Sequence, residues 1–283
     1  MRGSLIGGAV LLSLLLGPPE AAADRGHARS SRKPLSGKQS QDFWGWLLDP
    51  HKAEVDGILR LAGENWIQAA NDAADFEAGT RSPGRAERRR RALADAEGML
   101  KYALKLSPGR TDVLRQLALV QDENDQPGAP QTLERYLASE IPDRVSAEPR
   151  VRLARWYARQ RRYSDAIVQL EKADSLNPGS AAMQSALAHA YALGGKRAEA
   201  KRILGQLLVM RRQGYVSPYE IAVIYVGLGE KDQAFEWLER AYQEHSSWLS
   251  YLNVESRLDP LHSDPRFADL VRRVGLPRLA EAL

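Results

Sequence analysis

Apolar residues recur at intervals of three and four along much of the chain, the spacing of helices that bury one face. Leu153, Ala154 and Tyr157 share one face of a first predicted helix, and Ala166, Leu170 and Ala173 share one face of a second. Pro178 follows Leu176 and Asn177 and stops the second helix, since proline has no N–H to donate and its ring clashes with the preceding turn. The pair then repeats. Tyr157, Tyr191 and Tyr225 lie 34 residues apart, and so do Ala154, Ala188 and Ala222. The same interval links Leu153, Leu187 and Ile221, then Ala166, Ala200 and Ala234, then Leu170, Leu204 and Leu238. Gly195 and Gly229 fall at matching turns, where Arg161 stands in the first copy. Alanine at the crossing lets two backbones approach, and the larger side chains fill the space beside it. One hairpin of this kind leaves apolar surface bare, so the copies must stack. The pattern predicts an all-α solenoid of antiparallel helix pairs with helical caps.

Weaker copies precede the clear ones. Ala96, Leu100, Ala103 and Leu104, closing with Leu106-Ser107-Pro108, read as a second helix. Leu117 and Ala118 open another first helix, but its partner near 130–141 departs from the pattern. Pro130 stands where the packing alanine is expected, and Glu134 where a large apolar residue belongs. Trp66 to Phe76 is expected as the first helix of the earliest copy, giving about five repeats. Asp264 and Pro265 start a final helix with Phe267, Leu270, Val271 and Val274 on one stripe, stopped by Gly275 and Pro277. The expected organisation is an N-terminal helical cap over 41–63, repeats over 64–244 and a C-terminal helical cap over 245–283.

These residues resemble the tetratricopeptide repeat family, most clearly over 147–244. The resemblance is carried by Leu-Ala-x-x-Tyr at 153–157 with Tyr163, Ala166, Leu170, Ala173 and Pro178. It implies a right-handed superhelical solenoid that binds other proteins, and it supplies no catalytic residue. The stretch from Trp248-Leu249 through Asp264-Pro265-Arg266-Phe267 is similar to the ends of such arrays attached to bacterial signalling and regulatory proteins. That similarity implies a bacterial source.

The start of the chain reads differently. Arg2, an apolar run from Leu5 to Leu16, the helix-breaking Gly17-Pro18-Pro19 and the small Ala21, Ala22 and Ala23 have the layout of a secretory signal peptide over 1–23. The run is short for a membrane span of about 20 residues, although an uncleaved anchor is the other reading. Residues 24–40, rich in Arg, Lys, Ser and Gly, read as a flexible basic tail. The expectation is an exported protein, periplasmic or extracellular.

Composition narrows the chemistry. With 43% hydrophobic and 27% charged residues the chain can fold. A net charge of +4, unchanged when Arg2 and Glu20 leave with the leader, is too small to argue for nucleic acid. With no cysteine there is no disulfide, thiolate nucleophile or zinc ribbon. His27, His51, His189, His245 and His262 are scattered without metal-ligand spacing. Neither a phosphate-binding glycine loop nor a nucleophile elbow is present: Gly37-Lys38 is followed by Gln39, and Arg32 stands where the first glycine is required. No catalytic, metal or cofactor residue is assigned, and a binding protein without turnover is expected.

A solenoid places the first helix of each pair on its concave side, where extended peptides or helices dock. Register puts Arg115 and Leu119, then Val151, Arg155 and Arg159, then Ser185, His189 and Ala192, then Tyr219, Val223 and Val226 along that groove. Its middle is basic and its C-terminal end apolar, which suits an acidic peptide or a free C-terminus bound by bidentate arginine. The competing reading has the arginines solvated and Val223 and Val226 packed against the capping segment. For His189 the choice is between a peptide contact and a plain exposed polar residue. Two other patches stand out: the arginines Arg85 and Arg88, Arg89, Arg90 and Arg91, and the cluster Phe43, Trp44, Trp46, Leu47 and Leu48. They could meet anionic lipid, cell-wall polymer or a partner. The plainer readings are the polar face of a helix start and a cap over the first repeat. The leading expectation is a protein–protein scaffold or adaptor in the bacterial envelope; the alternative is a surface-associated protein using those two patches.

Overall fold

A computed structural model describes residues 49–77, 84–139, 146–214, 216–253 and 255–276. The leader, the basic tail and the aromatic cluster with Trp44 and Trp46 lie outside the described residues. The fold is an all-α solenoid of antiparallel helix pairs, and it divides into two compact units meeting between residues 145 and 146.

The first unit holds α1 (Lys52–Glu77), α2 (Arg85–Leu106), α3 (Thr111–Glu123) and α4 (Ala129–Ser139). Its core is Val55, Ala62 and Ala69 of α1, Leu93, Ala96, Leu100 and Ala103 of α2, and Val113, Leu117 and Val120 of α3. The cap expected over 41–63 and the first repeat helix are one continuous element, since α1 runs through both. Asp49 ties the start of α1 to the end of α2, accepting from Ser107 Oγ at 2.6 Å, and Arg110 pairs Asp56 at 2.7 Å. The degenerate copy is explained by its connection. Five residues separate α3 from α4, where three separate the helices of the next pair, so the register shifts by two. Thr132, not Pro130, holds the packing position, and Leu133 and Tyr136 supply the apolar face while Glu134 points out. Pro130 sits in the first turn, where a missing N–H costs nothing. Thr132 Oγ1 donates to Gln121 Oε1 at 2.6 Å, and Gln121 Nε2 donates to Glu97 Oε1 at 3.0 Å. A buried polar chain thus stands where later copies use tyrosine against alanine.

The second unit holds α5 (Ala147–Arg159), α6 (Tyr163–Leu176), α7 (Ala181–Leu193), α8 (Arg197–Gln213), α9 (Pro218–Leu228) and α10 (Lys231–Gln243). Two 3₁₀ turns, Ser247–Tyr251 and Ser256–Leu261, and α11 (Pro265–Val274) follow. All six crossing alanines (Ala154, Ala188, Ala222, Ala166, Ala200 and Ala234) are buried. Tyr157 and Tyr191 are buried beside them, and Tyr225 is half-buried. Each tyrosine also fixes the turn that follows it: Arg162, Lys196 and Glu230 donate their N–H to the carbonyls of Tyr157, Tyr191 and Tyr225 at 2.9, 2.8 and 3.0 Å. This helix stop requires a left-handed residue just before the donor, and Arg161, Gly195 and Gly229 occupy it at φ of 58°, 80° and 75°. The conformation explains why glycine recurs at this position.

Second helices are joined by ion pairs at nearly the repeat interval. Arg197 and Arg211 of α8 pair Glu230 and Glu244 at the two ends of α10. Asp232 and Glu239 of α10 pair Arg266 and Arg273 of α11. In this way α11 closes the stack as one more second helix, its Phe267, Leu270 and Val271 buried and Val274 half-buried. Asp264 caps it by accepting from Arg266 N at 3.0 Å, and Gly275 ends it at φ of 84°.

First helices touch most closely where α9 crosses α7. A Cβ at Gly227 would lie 2.8 Å from His189 Cδ2 and 3.1 Å from the His189 carbonyl oxygen. Backbone on the far side cannot retreat, so Gly227→Ala should lower stability by about 1–3 kcal/mol, the usual range for overpacking. Thermal unfolding followed by circular dichroism checks this, with Gly205→Ala as the uncrowded comparison: it meets nothing within 4 Å and should gain about 0.5–1 kcal/mol of helix propensity.

Candidate functional site

The face formed by α5, α7 and α9 is the one that register offers to a partner, and its three helices are covered unequally. On α5, Val151 and Arg155 are half-buried and Arg159 is exposed. On α7, Ser185, His189 and Ala192 are buried. On α9, Tyr219, Val223 and Val226 are buried at 2%, 1% and 5% exposure. In the first unit, Leu119 is core and Arg115 is half-buried. In the second unit six of the expected groove residues, Ser185, His189, Ala192, Tyr219, Val223 and Val226, are therefore not an open lining, and in the first Leu119 is core. The apolar end packs against the capping segment. His189 is neither an exposed polar residue nor an open contact, because it lies under Gly227.

What covers them is the chain itself. Residues 247–253 and 255–262 form a strap whose second 3₁₀ turn packs on α9. Leu249, Leu252, Leu258 and Leu261 are all buried, each contributing roughly 1.5–3 kcal/mol by leaving water. Trp248 stacks on Tyr219 with ring centroids 6.0 Å apart and planes 12° from parallel. Ser185 Oγ donates to the Glu220 carbonyl at 2.7 Å, tying α7 to α9 beneath.

Charge is concentrated where strap and helices meet. Arg257 donates to Glu255 through both its backbone N–H, at 3.2 Å, and its Nη2, at 2.6 Å. These side chains keep 28% and 21% of their surface. Burial alone would raise the Glu255 carboxyl, but the Arg257 guanidinium beside it holds it down at about 2. Burial works against the Arg257 charge as well, and Glu255 reverses that and raises its pKa. His189 is driven down to about 3, first by burial and then by the positive charge of Arg257, so its imidazole stays neutral near pH 7. Burial also raises Tyr219 and Glu220. Asp259 is raised by burial, with the positive charge of Arg159 on α5 opposing the shift. Side chains of α5, α7 and α9 thus all reach the strap electrostatically.

Of the arginine run, Arg88, Arg90 and Arg91 stay on the surface and Arg89 turns inward. Arg89 reaches from α2 to Glu123 of α3 at 3.3 Å, Arg90 and Arg91 pair Glu87 of their own helix, and Arg88 is exposed. The strap's position follows the competing reading of the groove, with Val223 and Val226 packed against the capping segment, and its cause is visible in the sequence. Carrying the 34-residue interval past α9 puts Glu255, Ser256 and Asp259 where Ile221, Ala222 and Tyr225 stand, and Pro260 follows. A regular first helix with an apolar face cannot form there. Among the described residues no group of three or more His, Asp or Glu could hold a metal ion. None of the described helices is long and apolar enough to cross a membrane.

Family models for the tetratricopeptide repeat match residues 157–217 and 219–244. These spans run from the end of α5 to the end of α10. A solved structure titled "Crystal structure of MamA" is similar at 20% identity with a TM-score of 0.44, over 59% of this chain and 96% of that one. No curated protein matches the chain.

The depressed groups set the acid response. A group whose folded pKa lies below its unfolded value stabilises the fold fully above the unfolded value and loses that contribution as pH falls. For His189 the loss runs from about 6.5 down to about 3, and for Glu255 from about 4.5 down to about 2. Stability should therefore fall between pH 6.5 and 4.5 before carboxylates titrate. His189→Gln should flatten that part of the curve while leaving the drop below pH 4.5, as read from urea midpoints across pH.

Proposed function

We propose that this protein is an exported scaffold that holds an acidic segment of another protein against α5. Supporting this are the repeat matches over 157–244, the pairwise helix stacking and the leader-like pattern at 1–23. The observation that carries it is the charge of the uncovered part of the first-helix face. Arg150, Arg152, Arg155, Arg159, Arg161 and Arg162 stand within α5 and its following turn, with Glu148 the single acid between 147 and 162. Arg152 pairs that Glu148 and Arg162 pairs Asp165, and six arginines against one acid keep residues 147–162 strongly cationic as a segment. A carboxylate can take two parallel hydrogen bonds from a guanidinium. Each exposed ion pair contributes only about 0–1 kcal/mol, so recognition requires several carboxylates along one segment. Among the described residues the lipid or polymer reading draws on Arg88, Arg90 and Arg91, since Arg89 turns inward to Glu123.

A photo-crosslinking residue placed at position 159 tests the proposal in envelope fractions of a bacterial host. The expected result is a discrete protein adduct that a second substitution, Arg155→Glu, removes and that added salt weakens. The same crosslinker at Arg272, on the exposed side of α11, should yield no such adduct. Adducts of equal pattern at both positions would remove the case for α5.

A further inference from the structure

We propose that residues 247–262 are a tethered, replaceable occupant of a segment-binding face made by α7 and α9, so that the protein carries its own ligand for the C-terminal part of the face. This deepens the reading of the first-helix face as the binding surface and rests on it. The strap is not a repeat element. It is two short 3₁₀ turns lying where the fold would otherwise place a helix, and it meets α9 through side chains that a docked peptide would use. Leucines at 249, 252, 258 and 261 are the apolar anchors, Trp248 stacks on Tyr219, and Glu255 brings a carboxylate toward His189. That combination of spaced apolar anchors and a carboxylate is the pattern by which an irregular segment docks on a helical groove.

Two features separate an occupant from a core element. The first is its tethers. α11 is held to α10 by Arg266–Asp232 and Arg273–Glu239, contacts in which the strap takes no part. Residues 247–262 could leave the face while both of their ends stayed in place. The second is the finish of the interface. The Tyr219 hydroxyl is buried and finds no hydrogen-bond partner among the described residues, and the Glu255–Arg257 pair is only partly covered. The buried Tyr219 hydroxyl is a polar group that another segment could satisfy better.

A segment tethered at both ends is present at an effective concentration of about a millimolar, so an added peptide at micromolar levels should not displace it. Loosening the strap should expose the face. The probe is a fluorescein-labelled synthetic peptide of residues 247–262, titrated by fluorescence anisotropy against the full chain and against its Leu258→Ala/Leu261→Ala variant. We expect the variant to bind the peptide at least about tenfold more tightly than the wild type, because the tethered competitor is weakened. Equal affinity, including no binding by either, overturns the proposal. If the double variant loses helical circular dichroism, Trp248→Ala with hydrogen exchange decides instead. Amides of 255–261 should exchange at least about tenfold faster while those of α7 and α9 hold their rates, as expected of a separately opening unit. Uniform acceleration across strap, α7 and α9 would make the strap part of the core and overturn the proposal. Neither readout involves Arg155 or Arg159, so a failure here leaves the α5 reading standing, and failure of crosslinking at 159 leaves this one.

Discussion

The structure depends on how closely two helices can approach. Each helix pair of the second unit buries one alanine from either helix, and where α9 meets α7 even a methyl group is too large, so Gly227 lies directly against His189. Close approach brings the larger residues on either side into contact and buries them, and burial rather than helix propensity is what stabilises helices of 11 to 17 residues. It also fixes the repeat length. Two helices and two turns take 34 residues, and a change in one turn shifts the partner helix against its neighbours. The longer connection between α3 and α4 shows the result: the second helix keeps an apolar face by moving its packing position from Pro130 to Thr132, and a hydrogen-bonded chain to Gln121 and Glu97 replaces the tyrosine–alanine contact.

That same constraint explains what could be read from the sequence. Periodicity exposes any element whose neighbours are copies of itself, so α5 to α10, their left-handed turns and the stop of α11 follow from spacing alone. It says much less about an element that breaks the period. Residues 245–283 were legible as a cap because Asp264-Pro265 and the stripe through Val271 have local signatures. Where 247–262 would lie stayed open between two readings, since two pairs of leucines, each three residues apart but six from one pair to the next, do not name the surface they cover. The candidate groove suffered for the same reason. Register gives the direction in which Ser185, His189, Tyr219, Val223 and Val226 point, and burial depends on what the chain lays over them. Within the arginine run one residue departs from the surface for a different reason. Arg89 is drawn in by Glu123, an acid standing 34 residues away in sequence, and composition cannot distinguish such a pair from an open charge.

Ending a solenoid raises a problem that its interior does not have. Each first helix presents an apolar flank to the next, and the last one, α9, has no successor. Second helices are closed in the ordinary way, by an amphipathic helix whose outer side is charged, with ion pairs continuing the ladder. First helices are closed by a segment that cannot be a helix, since Ile221, Ala222 and Tyr225 have Glu255, Ser256 and Asp259 as their counterparts. The two rows of the array are thus terminated by different physics: regular packing on one side, and an irregular, partly polar strap on the other.

The polar content of that strap bears on why it sits where it does. A fully apolar closure would be more stable, since desolvating an ion pair costs more than burying hydrocarbon of the same volume. Glu255 and Arg257 instead keep part of their surface in water and satisfy one another through two hydrogen bonds, which limits that cost. What they add is direction. Arg257 and Glu255 lie within electrostatic reach of His189, Tyr219 and Glu220, and Asp259 within reach of Arg159, so a shifted path across the first helices would change each of these interactions. Four leucines could settle on an apolar face in several registers. The charges select one, and in doing so they leave α5, with its arginines, as the part of the first-helix face that the strap does not cover.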